Sequence, residues 1–246
     1  MISALGVIPA RFKSSRFPGK PLAQIAGIPM IKRTYLQVLQ SKSLADVLVA
    51  TDDEAIFEYC VGEGIKVEMT SDECLTGTDR VAEIAGRHAH DLYVNVQGDE
   101  PIIDPIVISQ IVDAYKEYGE GYIAYNLCKR ITDKTMIDSS SIIKVIVNEN
   151  YELMYMSRLA VPSAYSMKKP FYLQQIPTYG YTAKALLEFS SHSKTVNELY
   201  EDIEMLRFVD LGHDVKMIQT NAVSISVDKE EDILKVERHL IGPRTI

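Results

Sequence analysis

The strongest constraint on this chain is an alternation. Short apolar runs bounded by turn residues take turns with segments of helical period: 2–8 then 30–40, 47–51 then 54–60, 66–70 then 79–90, 92–96 then 106–118, and 122–127. The apolar runs read as buried strands, and in 79–90 the residues Val81, Ile84 and Ala85 share one helix face. Repeated strand–helix–strand order predicts an α/β fold with a mostly parallel sheet flanked by helices, because parallel neighbours need a crossover that a helix fills. Such sheets bind ligands at the carboxyl ends of their strands, here just after Ile8, Thr51 and Val96.

Past Leu127 the pattern loosens. Segments 142–147, 153–156 and 174–181, with a Pro- and Lys-containing loop at 162–170, read as a smaller β-rich insertion over about 130–215. A helical stretch at 197–211, a strand at 215–227 and a closing helix at 230–240 are expected to return the chain to the main sheet. No internal repeat or low-complexity linker divides the sequence, so a single domain over 1–246 with an inserted lobe is the expected organisation. A hydrophobic content of 46% and a charged content of 24% suit a globular domain with a sizeable core.

Twenty-six Lys and Arg against 34 Asp and Glu leave a net charge of -8. That balance argues against a nucleic-acid or anionic-membrane binder, which needs a basic face, although it leaves room for one small basic pocket. Cys60, Cys74 and Cys128 form no C-x-x-C pair, which excludes a cysteine zinc site and a disulfide framework and suits a reducing cytoplasm. No apolar run approaches the ~18 residues that a membrane span requires, and the first ten residues lack the layout of a signal peptide.

The acidic average hides one basic cluster. Between Pro9 and Pro21 the chain reads PARFKSSRFPGKP, which places Arg11, Lys13, Arg16 and Lys20 within ten positions at the end of the first strand. With Ser14, Ser15 and Gly19 beside them, these cations suit several phosphate oxygens at once, since arginine offers planar forks and lysine a movable charge. Neither G-x-x-x-x-G-K-[ST] nor G-x-G-x-x-G is present. After the strand at 92–96 comes Gln97-Gly98-Asp99-Glu100-Pro101, and a predicted strand at 224–227 ends in Asp228. Asp99 and Asp228 could share one Mg²⁺ with phosphate oxygens, while Asp228 and the run Thr51-Asp52-Asp53-Glu54 read equally well as helix caps. His88 and His90 read as a helix-end pair.

The stretches IPARFKSSRFPGKPL, VATDD, TGTDR, YVNVQGDEP, SIIKVIVN, MSRLAVP and YGY together resemble the CTP:3-deoxy-manno-octulosonate cytidylyltransferases, or CMP-Kdo synthetases, from about Val7 to about Glu237. The resemblance implies a Rossmann-like nucleotidyltransferase fold, usually a homodimer. It also implies a reaction in which Mg²⁺ and CTP activate a 2-keto-3-deoxy sugar acid as its CMP derivative and release pyrophosphate. On this chain Arg11, Ser14, Arg16 and Lys20 would hold the triphosphate, and Asp99 and Asp228 would hold Mg²⁺. Thr78, Arg80 and Gln97, with the Pro9–Ala10–Arg11 backbone, would line the nucleotide. Arg11, Lys20, Asp99 and Asp228 would then carry the catalysis.

The acceptor side departs from the family pattern. Where the family has a His before Y-G-Y, an Arg just after it and a Glu-Gln pair before Leu-Arg, this chain has Gln175, Thr182 and Glu204-Met205, while Arg158, Tyr179 and Glu204 remain. Losing a guanidinium at Thr182 and an amide at Met205 changes what can be hydrogen-bonded. The expected acceptor site is therefore Arg158, Gln175, Tyr179, Glu204 and Met205, and the expected acceptor is Kdo or a close variant, with a different acidic or amino-substituted acid as the alternative. A nucleotide-binding regulator without turnover is the other alternative, disfavoured by two carboxylates facing a phosphate loop.

Overall fold

Every residue of Ala4–Ala10 (β1) is buried, as a strand covered on both faces must be. The computed structural model describes residues 2–12, 17–163, 165 and 171–241. After β1 come a small hairpin of β2 (Gln24–Ile25) and β3 (Ile28–Pro29), then α1 (Met30–Val38), β4 (Asp46–Thr51), α2 (Glu54–Gly62) and β5 (Val67–Met69). They are followed by α3 (Gly77–Ala85), β6 (Leu92–Val96), α4 (Ile106–Tyr118) and β7 (Ala124–Ile131). β1 pairs in parallel with β4 and with β6, and β4 with β5, so the predicted alternation is the observed frame. Successive β1 side chains serve opposite faces: Ala4, Ile8 and Ala10 join one apolar cluster, and Leu5 and Val7 the other.

The second half supplies α5 (Lys134–Asp138), β8 (Lys144–Val147), β9 (Leu153–Ser157), β10 (Tyr172–Tyr181), α6 (Ala183–Ser191), α7 (Val196–Glu201), α8 (Met205–Asp210), β11 (Val215–Gln219) and α9 (Glu230–Ile241). The main sheet runs β11-β7-β10-β6-β1-β4-β5, with β8 and β9 extending it beside β10. Only part of the stretch 130–215 stands apart from the main sheet. Tyr172–Ile176 pairs with β7 and, at Leu173 and Gln174, with β8, whereas Thr178–Tyr181 runs antiparallel to β6 in the sheet's interior. The register shifts between Ile176 and Tyr179, and the buried Asn126 amide fills the bulge by donating to Ile176 O at 2.9 Å and Thr178 O at 2.8 Å.

Two expected elements change in length. The helix expected over 197–211 is split into α7 and α8 at Asp202, whose φ is 52°. The Arg158 guanidinium takes Glu201 O at 2.6 Å and Asp202 O at 3.0 Å, so side-chain donors satisfy carbonyls that a longer helix would otherwise use. The strand expected over 215–227 stops at Gln219, where Lys129 Nζ takes the carbonyls of Asn221 and Ala222 at 3.3 and 2.9 Å. Among the described residues no helix is long and apolar enough to cross a membrane.

Candidate active site

β1 and β6 end side by side, since Val7 pairs with Asn95, so the residues leaving the two strands meet. The approach is close: a Cβ on Gly98 would lie 2.8 Å from Pro9 O, a backbone atom that cannot move aside, so glycine is required there. Thr34 Oγ1 fastens this turn by donating to Gly98 O at 3.1 Å. Above the strand ends, α3 begins with a capping box between Thr76 and Asp79. The result is a cavity of about 330 Å³ between β1, β6 and the start of α3, closed by Lys194, Asp202, Glu204 and Asp228.

The basic loop leaves β1 at the exposed Arg11. It is drawn shut where Gly19, in the left-handed region at φ 70°, donates its N–H to Phe12 O at 2.9 Å. That closure delivers Lys20 to the cavity, where Nζ meets Asp99 Oδ2 at 2.5 Å and Val227 O at 3.2 Å. Val227 N also donates to Asp99 O at 3.0 Å. Asp228 therefore reaches the Asp99 wall from an irregular segment and not from the end of a strand, and its neighbour Asp232 accepts the Asp228 N–H at 3.1 Å. Ser14 and Arg16 lie outside the described residues.

Glu100 is the buried member of the acidic wall. It accepts from Ser224, its Oε1 has no protein partner, and burial together with the nearby Asp99 pushes its carboxyl up to about 8. Among the described residues no group of three or more His, Cys, Asp or Glu could hold a metal ion. Two hard carboxylates, Asp99 and Asp228, beside Lys20 and Arg11 suit Mg²⁺, which keeps waters and shares substrate phosphates, better than a metal that needs a full protein cage.

The remaining expected residues divide into those that line the cavity and those that support it. Arg80, nearly fully buried, lines it while its guanidinium is held by Asp52 Oδ2 at 2.8 Å, Thr70 Oγ1 at 2.8 Å and Ser71 O at 3.1 Å. Gln97 lines it too, its amide 3.5 Å from Asn95 Oδ1. Thr78 is fully buried and ties α3 to the acceptor side: it donates through N at 3.3 Å and through Oγ1 to Glu204 Oε2, and Oγ1 lies 3.2 Å from Tyr181 Oη. Glu204 lines the cavity with its carboxyl raised above the usual range, chiefly by burial. Burial likewise raises Tyr179, whose ring stacks on Tyr181 with centroids 5.9 Å apart.

Several residues expected at the acceptor work elsewhere. Arg158 donates to Ser140 O, Glu201 O and Asp202 O, which makes it a peg for the α7–α8 turn and not part of the cavity lining. Gln175 lies in the sheet with Nε2 on Asn126 Oδ1 at 3.1 Å, and Met205 is fully buried with its sulfur 3.6 Å from Tyr181 Oη. Thr182 caps α6 by accepting from Ala185 N at 3.0 Å. Asp53 caps α2, while its neighbour Asp52 holds Arg80. His88 and His90 lie beyond the end of α3 and take separate partners, Glu68 and Ser3. Lys194 and Asp202 had no sequence signal, because both sit at ends of short helices far from any strand end.

Residues 5–238 match the family model described as Cytidylyltransferase. The chain is 36% identical over 248 residues to the 3-deoxy-manno-octulosonate cytidylyltransferase of Protochlamydia amoebophila, covering 98% of this chain and 95% of that protein. It is 38% identical over 237 residues to the 8-amino-3,8-dideoxy-manno-octulosonate cytidylyltransferase of Shewanella sp. (strain W3-18-1), covering 95% and 97%. Among solved structures, that of CMP:2-keto-3-deoxy-manno-octonic acid synthetase complexed with CTP is similar with a TM-score of 0.91 at 32% identity, covering 97% of this chain and 98% of that one. The inositol-1-phosphate CTP transferase of T. maritima shares the fold, with a TM-score of 0.70 at 16% identity.

Proposed function

The chain belongs to the cytidylyltransferase family and, within it, to the CMP-Kdo synthetases, and we propose that it transfers CMP from CTP to the anomeric hydroxyl of Kdo or 8-amino-Kdo, releasing pyrophosphate. The observation that carries the reading is the meeting of Lys20 and Asp99 at 2.5 Å where β1 and β6 end. It puts a cation suited to phosphate and a carboxylate suited to Mg²⁺ in one cavity.

In this reading Arg11 and Lys20, with Ser14 and Arg16 of the same loop, neutralise the triphosphate. Pro9, Ala10, Arg80 and Gln97 bound the nucleoside, and Thr78, buried behind them, holds Glu204 in place. Asp99 and Asp228 would hold Mg²⁺, which supplies positive charge to the phosphate oxygens. The acceptor hydroxyl attacks the α-phosphorus in line with the departing pyrophosphate: one P–O bond forms to the sugar and one breaks to the leaving group. The protein's contribution is positioning and charge neutralisation, so no covalent nucleophile is needed. Glu204 faces the acceptor from the stretch 130–215, whose assignment as an acceptor-binding and dimerisation lobe follows from the same reading. A cytoplasmic homodimer is the proposed working form; the exposed Leu187, Leu199 and Tyr200 offer apolar surface for it, and sedimentation will read its mass.

The test is pyrophosphate release with four nucleoside triphosphates against a panel of 2-keto sugar acids, with and without Mg²⁺. Turnover is expected with CTP and Mg²⁺ on Kdo or its 8-amino analogue, and to vanish in Asp99→Asn with folding intact. Equal turnover without a divalent cation, or in Asp99→Asn, overturns the metal assignment.

A further inference from the structure

The acceptor in the proposed reaction is a carboxylate, yet it must enter a cavity that carries Asp99, Asp202, Glu204 and Asp228. Such an anion needs a cation of its own, and the cations lining the cavity among the described residues are Arg11, Lys20, Arg80 and Lys194. Arg80 is committed to Asp52, Thr70 and Ser71. Lys20, beside Asp99 and Val227 O, and Arg11 are assigned to the triphosphate in the proposed reaction. Lys194 differs from all three. It stands between α6 and α7 on the Glu204 side, and its partner is Asp202 Oδ1 at 3.2 Å.

The Lys194–Asp202 pair is built to be exchanged. The Lys194 side chain is half-buried while that of Asp202 is 77% exposed, and a pair with one partner in solvent contributes little, so a substrate carboxylate can take the ammonium while Asp202 turns to water. The backbone beneath is fixed: Arg158 holds Asp202 O, and Arg207 Nη1 holds His192 O at 3.0 Å, two residues before Lys194. A movable ammonium on a fixed turn is a good receiver for an anion that arrives and leaves in every cycle.

We propose that Lys194 is a specificity-determining residue that binds the carboxylate of the sugar-acid acceptor, and that Asp202 competes with the substrate for it. The inference rests on the reading of the acceptor as a 2-keto sugar acid.

Steady-state pyrophosphate release from the full chain tests it, with CTP and the acid varied in turn for wild type, Lys194→Met, Lys194→Arg and Asp202→Asn. Lys194→Met is expected to raise the KM for the acid about tenfold or more, the loss of one charge-assisted hydrogen bond. Its kcat and its KM for CTP should stay within about twofold. Lys194→Arg should recover most of the loss. Asp202→Asn, which tolerates the left-handed backbone, should lower the KM for the acid. Because a purely structural lysine would shift Tm or both KM values together, the split between substrates is the decisive readout. An unchanged acid KM in Lys194→Met, or a rise in the KM for CTP in its place, overturns the inference while leaving the functional reading standing. A wild type that turns over no 2-keto acid overturns the functional reading, and the inference with it.

Discussion

Arg207 and Glu198 form a buried bidentate pair under the acceptor wall, and breaking it should separate stability from nucleotide chemistry. Arg207 is 3% exposed and Glu198 fully buried, with Nε to Oε2 and Nη2 to Oε1 both at 2.7 Å. Nη1 takes Phe189 O at 2.7 Å and His192 O at 3.0 Å, and the guanidinium lies 3.6 Å from the Phe189 ring centroid. Arg207→Met keeps an unbranched apolar stem but leaves the Glu198 carboxylate buried without its counter-ion. Such an orphaned charge costs about 3–5 kcal/mol. For a chain of this size each kcal/mol moves Tm by about 2–4 °C, so calorimetry at neutral pH should show a fall of roughly 6–20 °C. Arg207→Lys, which keeps the charge but not the fork, should fall between the two. The double variant Glu198→Gln/Arg207→Met should recover part of the loss, since it removes the orphaned charge as well as the pair. A drop below about 3 °C in Arg207→Met, or a double variant no more stable than the single one, would refute this account of the pair.

Lys20→Met should push two affinities in opposite directions: Mn²⁺ alone, measured by titration calorimetry or electron spin resonance, should bind about tenfold tighter because Asp99 loses its ammonium partner, while CTP binds about tenfold weaker. Both affinities moving the same way would remove the Lys20–Asp99 pair from the site's logic. Gly98→Ala drives a methyl to 2.8 Å from Pro9 O and should part the ends of β1 and β6. A fall of about a hundredfold in kcat/KM is expected from the displaced groups, and activity near wild type contradicts the close approach. For Glu204, burial raises the native carboxyl above its unfolded value. Its contribution to stability is therefore fully present below the usual carboxylate range and lost as pH rises through the raised native value. Glu204→Gln removes that loss, so the Tm difference from wild type should grow as pH rises above the usual carboxylate range, and a flat difference would count against it.

The frame and the gathering of Lys20 and Asp99 at one end of the sheet were readable from the sequence because each rests on local chemistry. Buried parallel strands must be apolar throughout, as Ala4–Ala10 is, and charged residues released at their carboxyl ends are forced together by strand pairing alone. Asp99 sits at such an end, and Lys20, 79 residues away in sequence, reaches it because the loop leaving β1 is closed by the Gly19–Phe12 hydrogen bond. The strand does not continue past Gln219 and the helix over 197–211 is divided for the opposite reason. Each ends where a side chain remote in sequence, Lys129 or Arg158, takes the backbone carbonyls, and periodicity carries no trace of such a partner.

The same physics changes where acceptor specificity should be sought. The departures at Gln175, Thr182 and Met205 suggest an altered acceptor when they are read as isolated substitutions. Yet Gln175 completes a buried amide pair, Thr182 caps α6, and Met205 fills the core against Tyr181. A buried side chain with such a task reaches an acceptor only through what it supports, and Arg158 acts in that way by setting the turn at Asp202. The side chains that this support delivers to the cavity are Lys194, Asp202 and Glu204. Lys194 and Asp202 can exchange partners in water, whereas Glu204 is held against Thr78. With Lys194 as the proposed carboxylate receiver, discrimination between one sugar acid and another would fall to a half-buried lysine and an exposed aspartate whose arrangement depends on the turn beneath them. A substitution at the turn or at its pegs should change acceptor choice without touching the strand ends to which the triphosphate is assigned in the proposed reaction.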